Sequence, residues 1–191
     1  MVLNSDKINK GDLKVLKSFF SNVEDDTKFL ELVEKWRSTD WINDNNNISE
    51  FANRTKARLE KLRDLGLVQK KESSHNSLTY FLWYPTTIGL YVMLTSIDSK
   101  SQRKKFIYAN REIAHFGLIL KYFQSSGIKR VEILIEEIKD CIKKMKYKKI
   151  IEVIKEFFDE IELSHIDWNS EILPESRMQK YNDKTGTNEI F

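Results

Sequence analysis

The feature that most constrains this chain is a change of periodicity between residues 48 and 97. Small or apolar residues first recur at steps of three and four, which is the spacing of one buried face of an α-helix. They are Ile48, Ala52, Thr55, Leu59 and Leu62. Gly66 follows, and glycine commonly ends a helix because it adopts the left-handed conformation without strain. These positions predict a helix over residues 48–65.

The pattern then changes to that of a β-hairpin. Residues 67–71 predict one strand, the β-branched and aromatic residues of 78–83 predict a second, and the polar residues 72–77 predict the turn between them. Thr86 and Thr87 follow Pro85 and suit the start of another helix, which continues to Ile97. The order is therefore helix, hairpin, helix.

The regions on either side are predicted to be helical. Ahead of the hairpin, residues 12–20 and 25–37 each place apolar side chains at helical spacing, and the Asp- and Asn-rich residues 37–48 predict a loop. After it, three long helices are predicted, with connections at residues 125–127 and 146–149. Their apolar seams include Phe106, Ile113, Phe116 and Phe123, then Val131, Ile135, Ile138, Ile142 and Met145, then Ile150, Ile154, Phe157 and Ile161.

Composition agrees with a mainly α fold carrying a small β-hairpin, because the chain has only two prolines and six glycines. Three segments are predicted: a domain over residues 1–98, a helical coiled-coil or bundle domain over 99–166, and a polar tail over 167–191. The helical domain is expected to form a homodimer, although its seams also fit an intramolecular bundle.

The net charge of +3 does not by itself indicate a polyanionic partner, but the positive charge is unevenly distributed. Residues 53–71 contain seven basic and two acidic side chains, and residues 100–130 contain eight basic and one acidic. From residue 131 to the end the acidic residues outnumber the basic ones, fourteen to ten. Such clustering is typical of a surface that binds a polyanion.

The string from Ala57 to Val68, followed by a hairpin and then Thr86-Thr87-Ile88-Gly89-Leu90, resembles the winged helix-turn-helix of prokaryotic transcription regulators. In that family a basic helix ends in a leucine–glycine–leucine corner, a wing follows, and a threonine-to-glycine motif opens the next helix. Trp83 and Pro85 depart from the family pattern. The helical C-terminal half is similar in kind to PadR-type regulators, by analogy only.

The resemblance implies sequence-specific binding of double-stranded DNA, with the helix over residues 48–65 in the major groove and the wing over 67–83 on the backbone or minor groove. Helical spacing places Asn53, Arg54 and Ala57 where they would reach base edges. Six further side chains are expected near phosphates or on the wing. They are Lys56, Arg58, Lys61, Lys70, Lys71 and His75.

Two other interpretations of the same pattern stay open. A winged helix can serve as a protein-interaction or structural module without DNA, since charges on an exposed helix often only solvate it. It can also be the DNA reader of a replication factor or nuclease. No phosphate loop, zinc-protease motif, cysteine pair or nucleophile elbow is present, so an enzyme is not expected, and no cofactor is predicted. The single Cys141 and the lack of a signal-peptide or membrane-spanning pattern favour the cytoplasm.

Overall fold

The computed structural model describes residues 7–20, 30–32, 36–44, 52–75, 78–125 and 127–160. In that part of the chain the protein is mainly α-helical with one small antiparallel sheet. The elements of the first half are α1 (Lys10–Lys17), β1 (Arg37–Ser38), α2 (Thr39–Asp44), α3 (Ala52–Asp64), β2 (Val68–His75) and β3 (Leu78–Pro85). Those of the second half are α4 (Thr87–Thr95), α5 (Lys100–Ala109), α6 (Ala114–Gln124), α7 (Ile128–Lys143) and α8 (Lys149–Asp159).

Helix α1 confirms the helix predicted over residues 12–20, with a start two residues earlier. Asn9 and Asp12 set that start with a capping box, in which each side chain accepts a hydrogen bond at 3.0 Å from the other's backbone N–H. The helix predicted over residues 25–37 is wrong for those of its residues that the structure describes. Leu32 bridges Phe20 in an antiparallel pair, and Arg37 begins a strand; residues 25–29 and 33–35 lie outside the described ranges.

The loop predicted over residues 37–48 is also wrong for its first part, which contains β1 and α2; residues 45–48 lie outside the described ranges. β1 is only two residues long, too short for any alternating pattern to reveal it. It is held by β3, because Arg37 pairs with Trp83 and Ser38 with Leu82. The Trp83 indole N–H also donates to the Thr39 hydroxyl at 3.0 Å, which fixes the start of α2 beside the sheet.

The sheet has three strands in the order β1–β3–β2, so the predicted hairpin acquires a third strand. The pairing of β2 with β3 continues from Val68 opposite Pro85 to His75 opposite Leu78. The turn predicted over residues 72–77 is therefore wrong for residues 72–75, which belong to β2. The prediction failed because Glu72, Ser73 and Ser74 are polar and exposed or half-buried, although they belong to a part of the sheet in which only β2 and β3 pair.

Helix α3 begins at Ala52 and ends as predicted at the Gly66 corner. Gly66 has a φ of 74°, and two backbone hydrogen bonds close the end of the helix: Leu67 N–H to the Leu62 carbonyl and Gly66 N–H to the Arg63 carbonyl, both at 2.8 Å. Residues 48–51, with which the predicted helix begins, lie outside the described ranges.

The Gly66 corner is bonded directly to the start of α4. Thr86 caps α4 by accepting from the Gly89 N–H at 3.1 Å, and its own hydroxyl donates to the Gly66 carbonyl at 2.6 Å. The Thr86 N–H donates to the Leu67 carbonyl at 3.0 Å. The helix start predicted at Thr86 and Thr87 is confirmed.

After α4 the structure describes four helices, α5 to α8, rather than the three predicted. The seam through Phe106, Ile113, Phe116 and Phe123 is buried, but it belongs to two helices, α5 and α6, separated by a turn at residues 110–113. The turn is stabilised by Asn110, whose side-chain amide donates to the Phe106 and Leu30 carbonyls at 2.8 and 2.6 Å and whose side-chain oxygen accepts from the Leu32 N–H. The predicted breaks at 125–127 and 146–149 are confirmed to within three residues.

One continuous set of buried apolar residues runs from α1 to α8. α4 lies at its centre, because it contacts α1 and β3 on one side and α5, α7 and α8 on the other. The predicted division at residue 98 stays a prediction, as does the polar tail, which lies outside the described ranges. No helix among the described residues combines the length and the apolarity needed to cross a membrane.

Candidate nucleic-acid interface

Helix α3 buries the face that its spacing predicts. Thr55, Leu59 and Leu62 are at most 2% exposed, which confirms them as the inward side, and Thr55 donates a hydrogen bond to the Asn43 side-chain oxygen at 2.7 Å. α1 and α2 pack against this helix, and β2 follows at its end. The opposite face is left to solvent between two flanks, one beside α1 and one beside the hairpin.

The flank beside α1 is neutralised by a buried carboxylate. Asp12 has no exposed surface, and it accepts from the Arg58 guanidinium at 3.0 Å and from the Lys61 ammonium at 2.6 Å. Arg58 also donates to the Asn9 side chain at 3.0 Å. The phosphate contact predicted for Arg58 and Lys61 stays a prediction, but both cations already have a partner that joins α3 to α1.

The flank beside the hairpin has a second internal network. The Lys70 ammonium lies 2.5 Å from a Glu60 carboxylate oxygen and 3.8 Å from the centre of the Phe81 ring. Arg63 pairs with Glu60 and with Asp64, and its hydrogen bond to Asp64 raises the pKa of the guanidinium above its ordinary value. Lys70, predicted to contact DNA, therefore holds β2 against the last turns of α3.

Three exposed positions near the start of α3, on either side of the buried Thr55, carry the remaining candidates: Arg54, Lys56 and Ala57. Arg54 and Lys56 form no ion pair with any residue that the structure describes, while Lys56 lies 5.5 Å from the centre of the Phe81 ring. Ala57 adds no bulk between the two cations. Asn53 lies in the first turn of the same helix, and its predicted base contact stays a prediction.

The outer part of the hairpin presents the last two candidates. Lys71 is exposed, with its ammonium 5.9 Å from the Trp36 ring, and His75 is exposed at the end of β2. Leu78 and Tyr80, on β3, are also accessible, at 73% and 38%. By strand alternation all four side chains lie on the sheet face opposite Lys70 and Phe81, so the hairpin has a polar, partly aromatic outer face.

The predicted residues thus divide by their surroundings. Arg58, Lys61 and Lys70 are tied to carboxylates within the protein, whereas Arg54, Lys56, Lys71 and His75 point to solvent. Arg37, not among the predicted residues, stacks its guanidinium 3.9 Å from the Trp41 ring, and its burial lowers the pKa of the guanidinium from its ordinary value.

The histidine, cysteine and acidic side chains of the described residues do not form a metal site. No three of them lie together at metal-binding separations. His115 is buried, and its ring Nδ1 lies 3.1 Å from the Tyr91 hydroxyl, as expected for a core histidine with a hydrogen-bond partner. Burial raises the pKa of the Tyr91 hydroxyl well above its ordinary value, so it stays protonated beside the imidazole.

Comparisons of the chain with protein-family models, with curated proteins and with solved structures found no match.

Proposed function

We propose that residues 10–85 form a winged helix-turn-helix that binds double-stranded DNA sequence-specifically, and that the protein is a transcription regulator. The order α1–β1–α2–α3–β2–β3, with β3 between β1 and β2, supports this proposal because it is the order that a helix-turn-helix with a wing requires. The observation that carries it is the exposed pair of cations on the first two turns of α3, Arg54 and Lys56, which form no ion pair within the described part of the chain and lie next to an extended hairpin.

In the proposed complex the first half of α3 enters the major groove. The guanidinium of Arg54 forms no ion pair with any residue that the structure describes, and such a group suits bidentate bonding to guanine. Lys56, on the flank nearer the hairpin, suits a phosphate, and Ala57 permits close approach or contact with a thymine methyl group. Lys71 and His75 would contact the backbone or the minor groove.

The ion pairs of Arg58, Lys61 and Lys70 have an indirect part in this proposal. They hold α3 to α1 and to β2, so the angle between the helix and the hairpin is set before DNA is bound. A fixed angle reduces the ordering that binding would otherwise require. These three residues are therefore positioning residues, and the sequence-reading contacts belong to Arg54 and its neighbours.

The first test compares two arginines of the same helix by fluorescence anisotropy titration with a duplex selected from random sequence by the full chain. Arg54→Ala should weaken binding by roughly 1–3 kcal/mol and relax the preference for one base pair. Arg63→Ala is the matched control, because Arg63 is exposed on the last turn and already paired with Glu60 and Asp64. It should bind as the unaltered protein does.

Lys71→Ala should weaken binding to all duplexes alike and make the dependence of affinity on salt less steep, because a phosphate contact carries no base information. Equal affinities of the Arg54→Ala and Arg63→Ala proteins, or an affinity that does not fall with added salt, would contradict the docking mode.

A second candidate function is protein recognition, and the exposed Leu78 and Tyr80 favour it. Two accessible apolar side chains on one hairpin face suit a protein partner better than a phosphate backbone. The same anisotropy titration with DNA distinguishes the two functions. Leu78→Ser should leave DNA affinity unchanged if the hairpin contacts DNA only through Lys71 and His75.

A further inference from the structure

An open groove on the helical half lies between α7 and α8. It has a volume of about 690 Å³ and is lined on one side by α7 and on the other by α8. The two helices are joined by a short turn at residues 144–148 and therefore run in opposite directions. Ile133, on the α7 side, is apolar yet 58% exposed.

Four charged side chains of this groove form no ion pair within the described part of the chain: Lys146, Lys149, Glu137 and Glu156. The other charges are balanced internally. Asp140 pairs with Lys144 at 2.7 Å, and Glu132 pairs with the buried Arg103 at 2.8 Å.

The four unpaired charges are separated along the groove by sign. Lys146 and Lys149 lie at the turn end. Glu156 lies about 10 Å further along α8 than Lys149, and Glu137 lies about 10 Å back along α7 from the turn, at a rise of 1.5 Å per residue. The groove is therefore positive at one end and negative at a similar distance on both of its walls.

A surface of this kind is complementary to itself. Rotation by 180° about an axis that lies in the plane of the interface and crosses the groove at its middle, near Val153, places the lysine end of one copy over the glutamate end of the other, twice. We propose that the α7–α8 surface around this groove is the homodimer interface of the protein, packed against the same surface of a second copy. The exposed Ile133 supplies apolar area beside the charged contacts.

The test is a charge exchange followed by sedimentation equilibrium of the full chain without DNA. Lys149→Glu should weaken self-association at least about tenfold, because two like charges then face each other across the axis. Glu156→Lys should do the same. An equimolar mixture of the two variants should associate again as a heterodimer, since each contact then joins opposite charges.

Lys148→Glu and Glu152→Lys are matched controls. They make the same charge changes on the neighbouring exposed residues, which do not line the groove, and they should dimerise as the unaltered protein does. An unaltered protein that sediments as a monomer between about 1 and 100 μM would overturn the proposal. So would a mixture of Lys149→Glu and Glu156→Lys that stays monomeric. Neither result would contradict the proposed DNA binding, which is measured in a separate experiment.

Discussion

Asp12 has no exposed surface, yet two cations from a distant helix converge on it. A buried carboxylate is stable only while its charge is compensated, and removal of that charge leaves two cations converging on a site that no longer holds a negative charge. We expect Asp12→Asn, which keeps the size and the capping oxygen, to lower the free energy of unfolding by about 3 kcal/mol. Denaturant unfolding monitored by circular dichroism would measure this.

Asp140→Asn is the control for that prediction, because Asp140 forms a similar ion pair with Lys144 while 53% of its side chain is exposed. An exposed ion pair contributes little to stability, so this variant should unfold almost as the unaltered protein does. Equal losses of unfolding free energy in the two variants would show that the burial of Asp12 does not determine its contribution to stability.

At the residue scale, the sequence predicts local relations and misses distant ones. The spacing of Asn9 and Asp12 is a capping-box signal, readable without a structure. The partners of Asp12 are 46 and 49 residues further along the chain, where no spacing rule applies. For this reason Arg58 and Lys61 were predicted as phosphate ligands, and the carboxylate that holds them was not predicted at all.

At the element scale, the corner after α3 and the start of α4 form one joint. A Cβ atom added to Gly89 would overlap the Leu67 carbonyl oxygen, which is backbone and cannot move aside by rotation. We expect Gly89→Ala to lower the free energy of unfolding by about 2 kcal/mol or more.

Gly66→Ala is the informative comparison. An added Cβ at Gly66 meets nothing within 4 Å, so only the positive φ of 74° is penalised, at about 1 kcal/mol. Thermal unfolding of the two variants would measure both losses. A Gly89→Ala protein more stable than the Gly66→Ala protein would show that the Gly66 corner and the start of α4 can move apart at little cost in stability.

Elements with strong local signals were predicted well. α3, its glycine corner and the threonine cap of α4 each depend on residues within a few positions of one another. β1 and the turn between α5 and α6 depend on partners far away: Trp83 holds the first, and the Leu30 and Leu32 backbone holds the second through Asn110. Helical periodicity continues unbroken across that turn, so the sequence pattern alone predicts a single helix.

At the scale of the whole molecule, α4 decides whether the two halves behave as separate units. Leu90, Tyr91, Val92, Met93 and Leu94 are all at most 5% exposed. A helix that is apolar on every side has no polar face that could be exposed to water. The neighbours of α4 come from both halves of the chain. Separation of the predicted domains at residue 98 would therefore expose a large apolar area.

We accordingly expect the chain to unfold in one cooperative transition. Trp36, Trp41 and Trp83 all lie in or next to the sheet region, so with Trp168→Phe in place tryptophan fluorescence reports on the first half only. Far-ultraviolet circular dichroism reports mainly on the helices, most of which belong to the second half. The two transitions should coincide in denaturant, because neither half retains a complete core without α4. A fluorescence midpoint clearly separated from the dichroism midpoint would instead show that the two halves unfold independently. In that case α4 would contribute to the core of only one half.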